Sequence, residues 1–331
     1  MLRPLQPIGK SMNENKFLEI AGVEKAVICG AMYPCSNPEL VAAVSEAGGL
    51  GIIQPLSLVY VFKHDFREGL RYIKSLTSKP VGLNVIIEQS SKRYIDRMNH
   101  WLDIALEEGV RFFVSALGKP DWVVKKVKKY GGYVFHDVVG LKHAQIALDA
   151  GVDGFICVNN RAGGHAGHQS AQKLYDELAP LNKTLVLAGG ISQKADFQEA
   201  LKIGFAGVQL GTRFIASKEC NAHIDYKKAI LAAKEKDIVL SEKITGVPVS
   251  VINTSAVQKM GIKANYWQNL FLKNKRLKHL GRAYFTLKSI LQLKNSNLKG
   301  NKYKNFYQAG KSVEGIHQIL SAQEIINKIS R

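Results

Sequence analysis

Two histidines lie three residues apart in RAGGHAGH, residues 161–168, where groups suited to proton transfer sit on a backbone rich in glycine. Imidazole titrates at about pH 6.5, so His165 and His168 are the side chains best able to move a proton at neutral pH. Glycine neighbours give His165 little packing to hold it in a core, and we read it as a catalytic or substrate-binding group. For His168 a bland place in the loop or at a helix start is an equal reading. Histidines at this spacing also ligate metals. Residues 158–172, however, contain no carboxylate or cysteine to complete a local site, and no metal is assigned.

A second chemistry is written in glycine. Ala188-Gly189-Gly190 and Gly211-Thr212 each follow a short apolar run. Glycines there let backbone N–H groups approach a phosphate closely, and a helix starting near Ser192 would point its positive end at the same place. Thr212 adds a hydroxyl donor. Each charge-assisted hydrogen bond to a phosphate contributes about 1.5–3 kcal/mol. Plain turns needing positive φ would account for one glycine at each place but less well for the combination, so phosphate binding is the favoured reading.

These groups need a frame, and short β-branched runs supply one. They fall at residues 26–32, 50–54, 81–85, 111–116, 132–138, 154–158, 184–189 and 207–212, eight in all, with gaps long enough for crossover helices. Asn37-Pro38 reads as a helix start, and Gly48, Gly109, Gly151 and Gly204 read as helix stops that lead into the next strand. Unbroken alternation of this kind predicts a (β/α)8 TIM barrel with a helical insertion after strand 8, ahead of a doubly wound sheet. In such a barrel the reacting groups stand at the carboxyl ends of the strands. Those ends carry Ala31, Met32 and Cys35, then Asn84, Ser115 and His136, then the loop with Gly163 and Gly164. His136 reads either as a lining residue of the pocket or as a buried histidine satisfied by backbone, and Cys35 as a small packing residue.

The division expected is a barrel of residues 1–215 and 306–331 enclosing a mostly helical basic insertion, or lid, of residues 216–305. Residues 218–240 read as one helix, and the tail ends in another. The chain carries 46 Lys+Arg against 27 Asp+Glu, a formal +19 over 331 residues. Much of the excess is local: the 71 residues between Glu242 and Glu314 hold 14 basic and no acidic side chains. A basic stretch with Tyr266, Trp267, Tyr284 and Phe285 has the parts for nucleic-acid stacking. Amphipathic helices with a solvated basic face are the preferred reading, with an acidic carrier protein as a further partner class. Four widely spaced cysteines read as free thiols, and no apolar run has the length of a membrane span, so a cytoplasmic protein is expected.

In order along the chain, CGAMYPCSNPELVAAVSEAGGLGII, VGLNV, AGGHAG, LVLAGGI and GVQLGTRF resemble the nitronate monooxygenases, also called 2-nitropropane dioxygenases. That family shares its FMN-binding barrel with the flavin-dependent type II enoyl-ACP reductases. The resemblance implies FMN, with Ala31 and Met32 along the ring by their backbone, Asn84 reaching the ring or ribityl chain, and Gln209 beside a phosphate held by Gly189, Gly190, Gly211 and Thr212. Ser115, His136, Gly163, Gly164 and Ala188 complete the expected cofactor set. His165 falls on the family's catalytic position. Arg161-Ala162 stands where many relatives have Glu-Ala or Glu-Ser, and Pro248-Val249-Ser250 replaces a frequent Pro-Ala-Arg. The implied activity is oxidation of alkyl nitronates with O2; the alternative is transfer from NAD(P)H through flavin to an enoyl thioester or quinone.

Overall fold

Eight parallel strands close into one barrel in chain order: β1 (Val27–Cys29), β2 (Leu50–Ile53), β3 (Val81–Ile86), β4 (Phe112–Ala116), β5 (Tyr133–Val138), β6 (Gly154–Val158), β7 (Thr184–Ala188) and β8 (Gly207–Leu210). β8 pairs back onto β1 with Ile28 opposite Gln209. This computed structural model describes residues 15–88, 92–243, 248–263, 297–298 and 306–330. The (β/α)8 barrel expected from the sequence is therefore present. The first and last strands are shorter than their apolar runs, because after Gly30, whose N–H still donates to the Leu210 carbonyl at 3.0 Å, and after Leu210 the chain leaves the ladder to form the mouth.

Alternation along a strand sends successive side chains to the lumen or to the surrounding helices. Two contacts identify the faces. Gly51 lies where α2 (Pro38–Glu46) presses on the barrel, and a Cβ there would strike the backbone of Val41. Gly51 and its partner Cys29 thus face the helices. Phe17 marks the opposite face. It projects from α1 (Lys16–Ala21) edge-on to Phe112 of β4 at 6.0 Å and Phe135 of β5 at 6.2 Å, and lies 3.3 Å from where a Cβ of Gly207 in β8 would stand. β4 and β5 lie across the ring of strands from β8, so these contacts can meet only on the barrel axis. Phe17 plugs the amino-terminal end, and Asn15 ties the plug down by donating to the Ala206 carbonyl at 2.6 Å.

Helix boundaries follow the punctuation. Pro38 opens α2, and Gly48, Gly109, Gly151 and Gly204 all have positive φ at the turns that lead back to strands. The helix Ala322–Ser330 buries Ala322, Ile325, Ile326 and Ile329 against α2 and α8 (Lys194–Ile203), which is the place left open for an eighth barrel helix.

The single helix expected over 218–240 is divided. It runs only over Ile224–Ala232; the chain turns at Lys234, whose N–H donates to the Asp237 carboxylate at 2.8 Å. The β-branched residues that follow then form β9 (Ile238–Ser241), antiparallel to β10 (Val249–Ile252). The described part of the insertion therefore contains a hairpin as well as helices. Most of the acid-free stretch, with Tyr266, Trp267, Tyr284 and Phe285, lies outside the described residues. Among the described residues no helix is long and apolar enough to cross a membrane.

Replacing Phe17 by Ala should destabilise the barrel by about 3–5 kcal/mol, since three strands lose their common neighbour. The urea midpoint reads this out, and a shift worth less than about 1 kcal/mol would show that the plug is dispensable.

Candidate active site

At the carboxyl end of the barrel the lumen face is polar. Phe135 is a lumen residue, so alternation places Asp137 above it on β5. Register places Asn84 of β3 level with Val114 and Phe135, and Gln209 of β8 opposite Ala188 of β7. Asn84 donates to the Val114 carbonyl at 3.2 Å. The Gln209 side chain lies over Gly30, where a Cβ would come within 3.0 Å of it, and its Oε1 is buried without a hydrogen-bond partner among the described residues.

The loop after β6 crosses this mouth. Asn159 anchors it: its Nδ2 donates to the Gly189 carbonyl at 3.1 Å and its Oδ1 accepts from the Arg161 N–H at 2.8 Å. Two other segments clamp it. Ser250 of β10 donates its N–H to the Gly164 carbonyl at 2.7 Å, and Lys311 donates its N–H to the Arg161 carbonyl at 2.9 Å. Gly163 packs so tightly on residues 309–310 that a Cβ would stand 2.9 Å from the Gly310 nitrogen, and Gly164 has φ +66°. The Arg161 guanidinium is held by Glu235 at 2.8 and 3.0 Å, and Lys311 reaches the same carboxylate at 3.3 Å.

His165 projects from this clamped loop and remains accessible to solvent. Among the described residues none hydrogen-bonds to its ring. Crowding by the surrounding protein holds its pKa below the ordinary 6.5, so the ring is neutral at pH 7 and keeps a free lone pair. His168 is exposed on the same loop beyond Gly167.

The glycine pairs come together as expected, with one difference. Gly189 and Gly190 have φ +111° and +83°, and Met32 reaches to 3.5 Å from where a Cβ of Gly211 would be. Among the described residues none accepts a hydrogen bond from the backbone N–H of Gly190, Ile191 or Thr212. The Thr212 oxygen accepts from the Gly310 N–H at 3.0 Å, which leaves its own hydrogen to donate. Just before α8, by contrast, the Asp196 carboxylate accepts from the N–H groups of Ser192 and Gln193 at 2.8 and 3.1 Å, which places a negative charge at that helix start. That carboxylate disfavours an anion at the helix start, so the two turns are the favourable donors.

Ser115 and His136 are turned the other way. They are register partners on the helix-facing side, with Ser115 Oγ 2.8 Å from His136 Nδ1, and they do not line the lumen. Burial, with a smaller contribution from His143, depresses His136 to about 4. Met32 also differs from expectation. Its N–H donates to Ser36 Oγ at 2.8 Å and its carbonyl accepts from Cys35 and Ser36, so it offers a side chain to the mouth where backbone was expected. Ala31 precedes it in the same loop, half-buried. All four cysteines are free and buried, and Cys220 Sγ donates to the Cys35 carbonyl at 3.4 Å. Asp137 was missed by sequence reading. The signal was available in the period of two, since His136 and Asp137 cannot both face the lumen.

Residues 14–331 match the family model described as nitronate monooxygenase. The chain is 30% identical over 248 residues, 75% of its length and 68% of the relative's, to the (3aS,4S,5R,7aS)-5-hydroxy-7a-methyl-1-oxo-octahydro-1H-indene-4-carboxyl-CoA dehydrogenase of Rhodococcus jostii. It is 29% identical over 286 residues to a probable nitronate monooxygenase of Staphylococcus saprophyticus, covering 73% of this chain and 79% of the relative. Among solved structures it is similar to FabK from Thermotoga maritima, with TM-score 0.77 and 26% identity over 95% of this chain and 94% of that one. Nitroalkane oxidase from Streptomyces ansochromogenes shares the fold, with TM-score 0.72 and 19% identity over 94% and 96%.

The buried imidazole of His136 gives the barrel a pH dependence of definite sign. The unfolded chain takes up a proton at 6.5 that the folded chain refuses until about 4, so stability is lost as pH falls through that window, on the order of 3 kcal/mol. Asp137 works in the opposite direction over its own window. His136→Asn should therefore lose less stability than wild type between pH 6.5 and 4, as read by urea midpoints at each pH; parallel curves would show that the ring titrates normally.

Proposed function

The chain belongs to the nitronate monooxygenase family, and from that premise we propose that it is an FMN-dependent enzyme oxidising small alkyl nitronates with O2. Membership makes it a flavin-dependent oxidoreductase; the choice of FMN and of substrate is the proposal. The observation that carries it is His165, a neutral imidazole without a hydrogen-bond partner among the described residues, on a loop clamped over a polar barrel mouth.

The residues fit a flavin. Gln209 Oε1 is a buried acceptor awaiting a donor, and the amides of Gly190, Ile191 and Thr212 are donors awaiting an acceptor. A ring system with imide N–H groups at one end and a phosphate at the other supplies both. When bound, FMN accepts electrons from the substrate at its N5 edge and passes them to O2. Gly190, Gly211 and Thr212 would hold the phosphate, with Gly189 giving the turn its positive φ. Asn84, Ala188, Gln209, Ala31 and Met32 would border the ring. Ser115 and His136 serve by fixing β4 to β5 from outside.

His165 has two tasks that one neutral ring can perform. Its N–H donates to the nitro oxygens of an anionic nitronate and orients the carbon over the lumen. With a neutral nitroalkane its free nitrogen takes the α-proton instead. The clamp from Ser250 and Lys311 holds the loop in place, so the geometry is set before substrate arrives. A second reading is favoured by the Rhodococcus jostii relative, whose name specifies a CoA thioester: the same mouth would serve a thioester with NAD(P)H as electron donor.

Purified protein should be yellow and release FMN on denaturation; folded protein that will not take up FMN would end this reading. Thr212→Val should weaken FMN binding roughly tenfold or more through loss of one charge-assisted bond, as read by fluorescence titration. His165→Ala should keep its flavin and lose about 100-fold or more of kcat/KM. The wild-type acid limb of kcat/KM should fall below pH 6.5 and vanish in that variant. Rapid flavin bleaching by NADH without oxygen would instead select the thioester reading, whereas oxygen uptake with a nitronate alone would select the oxidase.

A further inference from the structure

Asp137 is a carboxyl placed in the lumen with no structural task. The ionisable side chains on the eight strands are Cys29, Tyr133, His136, Asp137 and Cys157. Cys29, His136 and Cys157 lie on the helix-facing side by register, and Tyr133 opens β5 at the far end. Asp137 alone among them stands in the lumen at the carboxyl ends. The residue is half-buried, and its Oδ1 is shielded from solvent with no hydrogen-bond partner among the described residues.

Nothing described around it neutralises the charge. On its own strand His136 is engaged with Ser115 on the other face, with His143 of α6 (Leu141–Asp149) beyond it. β4 brings no titratable group, and β6 brings Cys157, itself turned outward. Above the mouth the Arg161 guanidinium is committed to Glu235, and His165 is held neutral. A carboxyl oxygen shielded from water and kept for stability would be paired. This one is unpaired in the space where the flavin is read to bind. Burial lifts it to about 7, so it ionises near neutrality and responds to any new charge beside it. Electrons added to a flavin in this low-dielectric lumen are such a charge.

We propose that Asp137 is the proton-accepting partner of the flavin site: as a substrate's two electrons enter the bound flavin, the Asp137 carboxylate takes one proton from water and becomes the neutral acid. Asp137 gains a proton and no electrons; the electrons stay on the flavin, which takes up its own proton independently. Reduction thus carries one proton more than the flavin alone requires, and oxidation by O2 returns it. The inference rests on the flavin reading above.

The test uses the holoenzyme and its Asp137→Asn variant, with flavin content measured first and the two-electron midpoint potential followed across pH. Wild type should fall with pH more steeply than the variant, by about 30 mV per pH unit above neutrality, one proton's worth for a two-electron couple. Equal flavin content with parallel slopes overturns the role of Asp137 while leaving the cofactor reading intact. Failure of wild type to take up flavin overturns both. Should the Asn variant not fold, wild type alone decides: reduction in weak buffer at about pH 8 should consume two protons per flavin, and uptake of one overturns the proposal.

Discussion

A side chain on a closed eight-stranded barrel can point to only two places, the lumen or the ring of helices, and the strand period of two assigns every residue to one of them. Phe17 on the axis and Gly51 under α2 identify which face is which. From these two contacts the rest of the site follows. Asn84, Asp137 and Gln209 belong to the lumen, while Ser115 and His136, neighbours of the same strand ends, belong to the packing of β4 on β5. One residue of register separates a group that can touch a ligand from one that cannot.

The mouth is held together because two segments distant in sequence clamp one loop. Residues 161–168 are held from below by Asn159, from one side by Ser250 of the hairpin and from another by residues 309–311. The glycines of that loop have separate reasons. Gly163 leaves room for the Gly310 backbone, and Gly164 supplies a left-handed turn. His165 is thus presented by backbone geometry, and among the described residues none hydrogen-bonds to its ring. The hairpin therefore supports the loop that carries His165.

Electrostatics divides along the same lines. The excess positive charge lies largely in the acid-free stretch, whereas the lumen holds a single carboxyl at its open end and no cation among the described residues. Two titratable groups one position apart on β5 are pushed in opposite chemical senses by the same cause. Burial disfavours charge, which lowers the imidazole of His136 and raises the carboxyl of Asp137.

Much of the barrel was legible in the sequence, because β-branched runs, crossover lengths and glycine stops are local properties that a parallel barrel requires of each repeat. The glycine pairs at 189–190 and 211, and His165 on its loop, were legible for the same reason: conformational freedom and titration range belong to residue types. What one strand's pattern did not carry was direction. Which face of β5 looks inward depends on where Phe17 and α2 sit, and so the strand pattern puts Ser115 in the cofactor set, leaves His136 open between pocket lining and burial, and passes over Asp137. The fate of the α8 N-terminus, taken by Asp196, and the break of the helix at Lys234 depend on side-chain placement in the same way. Sequence by itself determined the repeating unit and the residues able to do chemistry. Tertiary structure decided which of them share one cavity, because closing the ring converts a period of two into an inside and an outside.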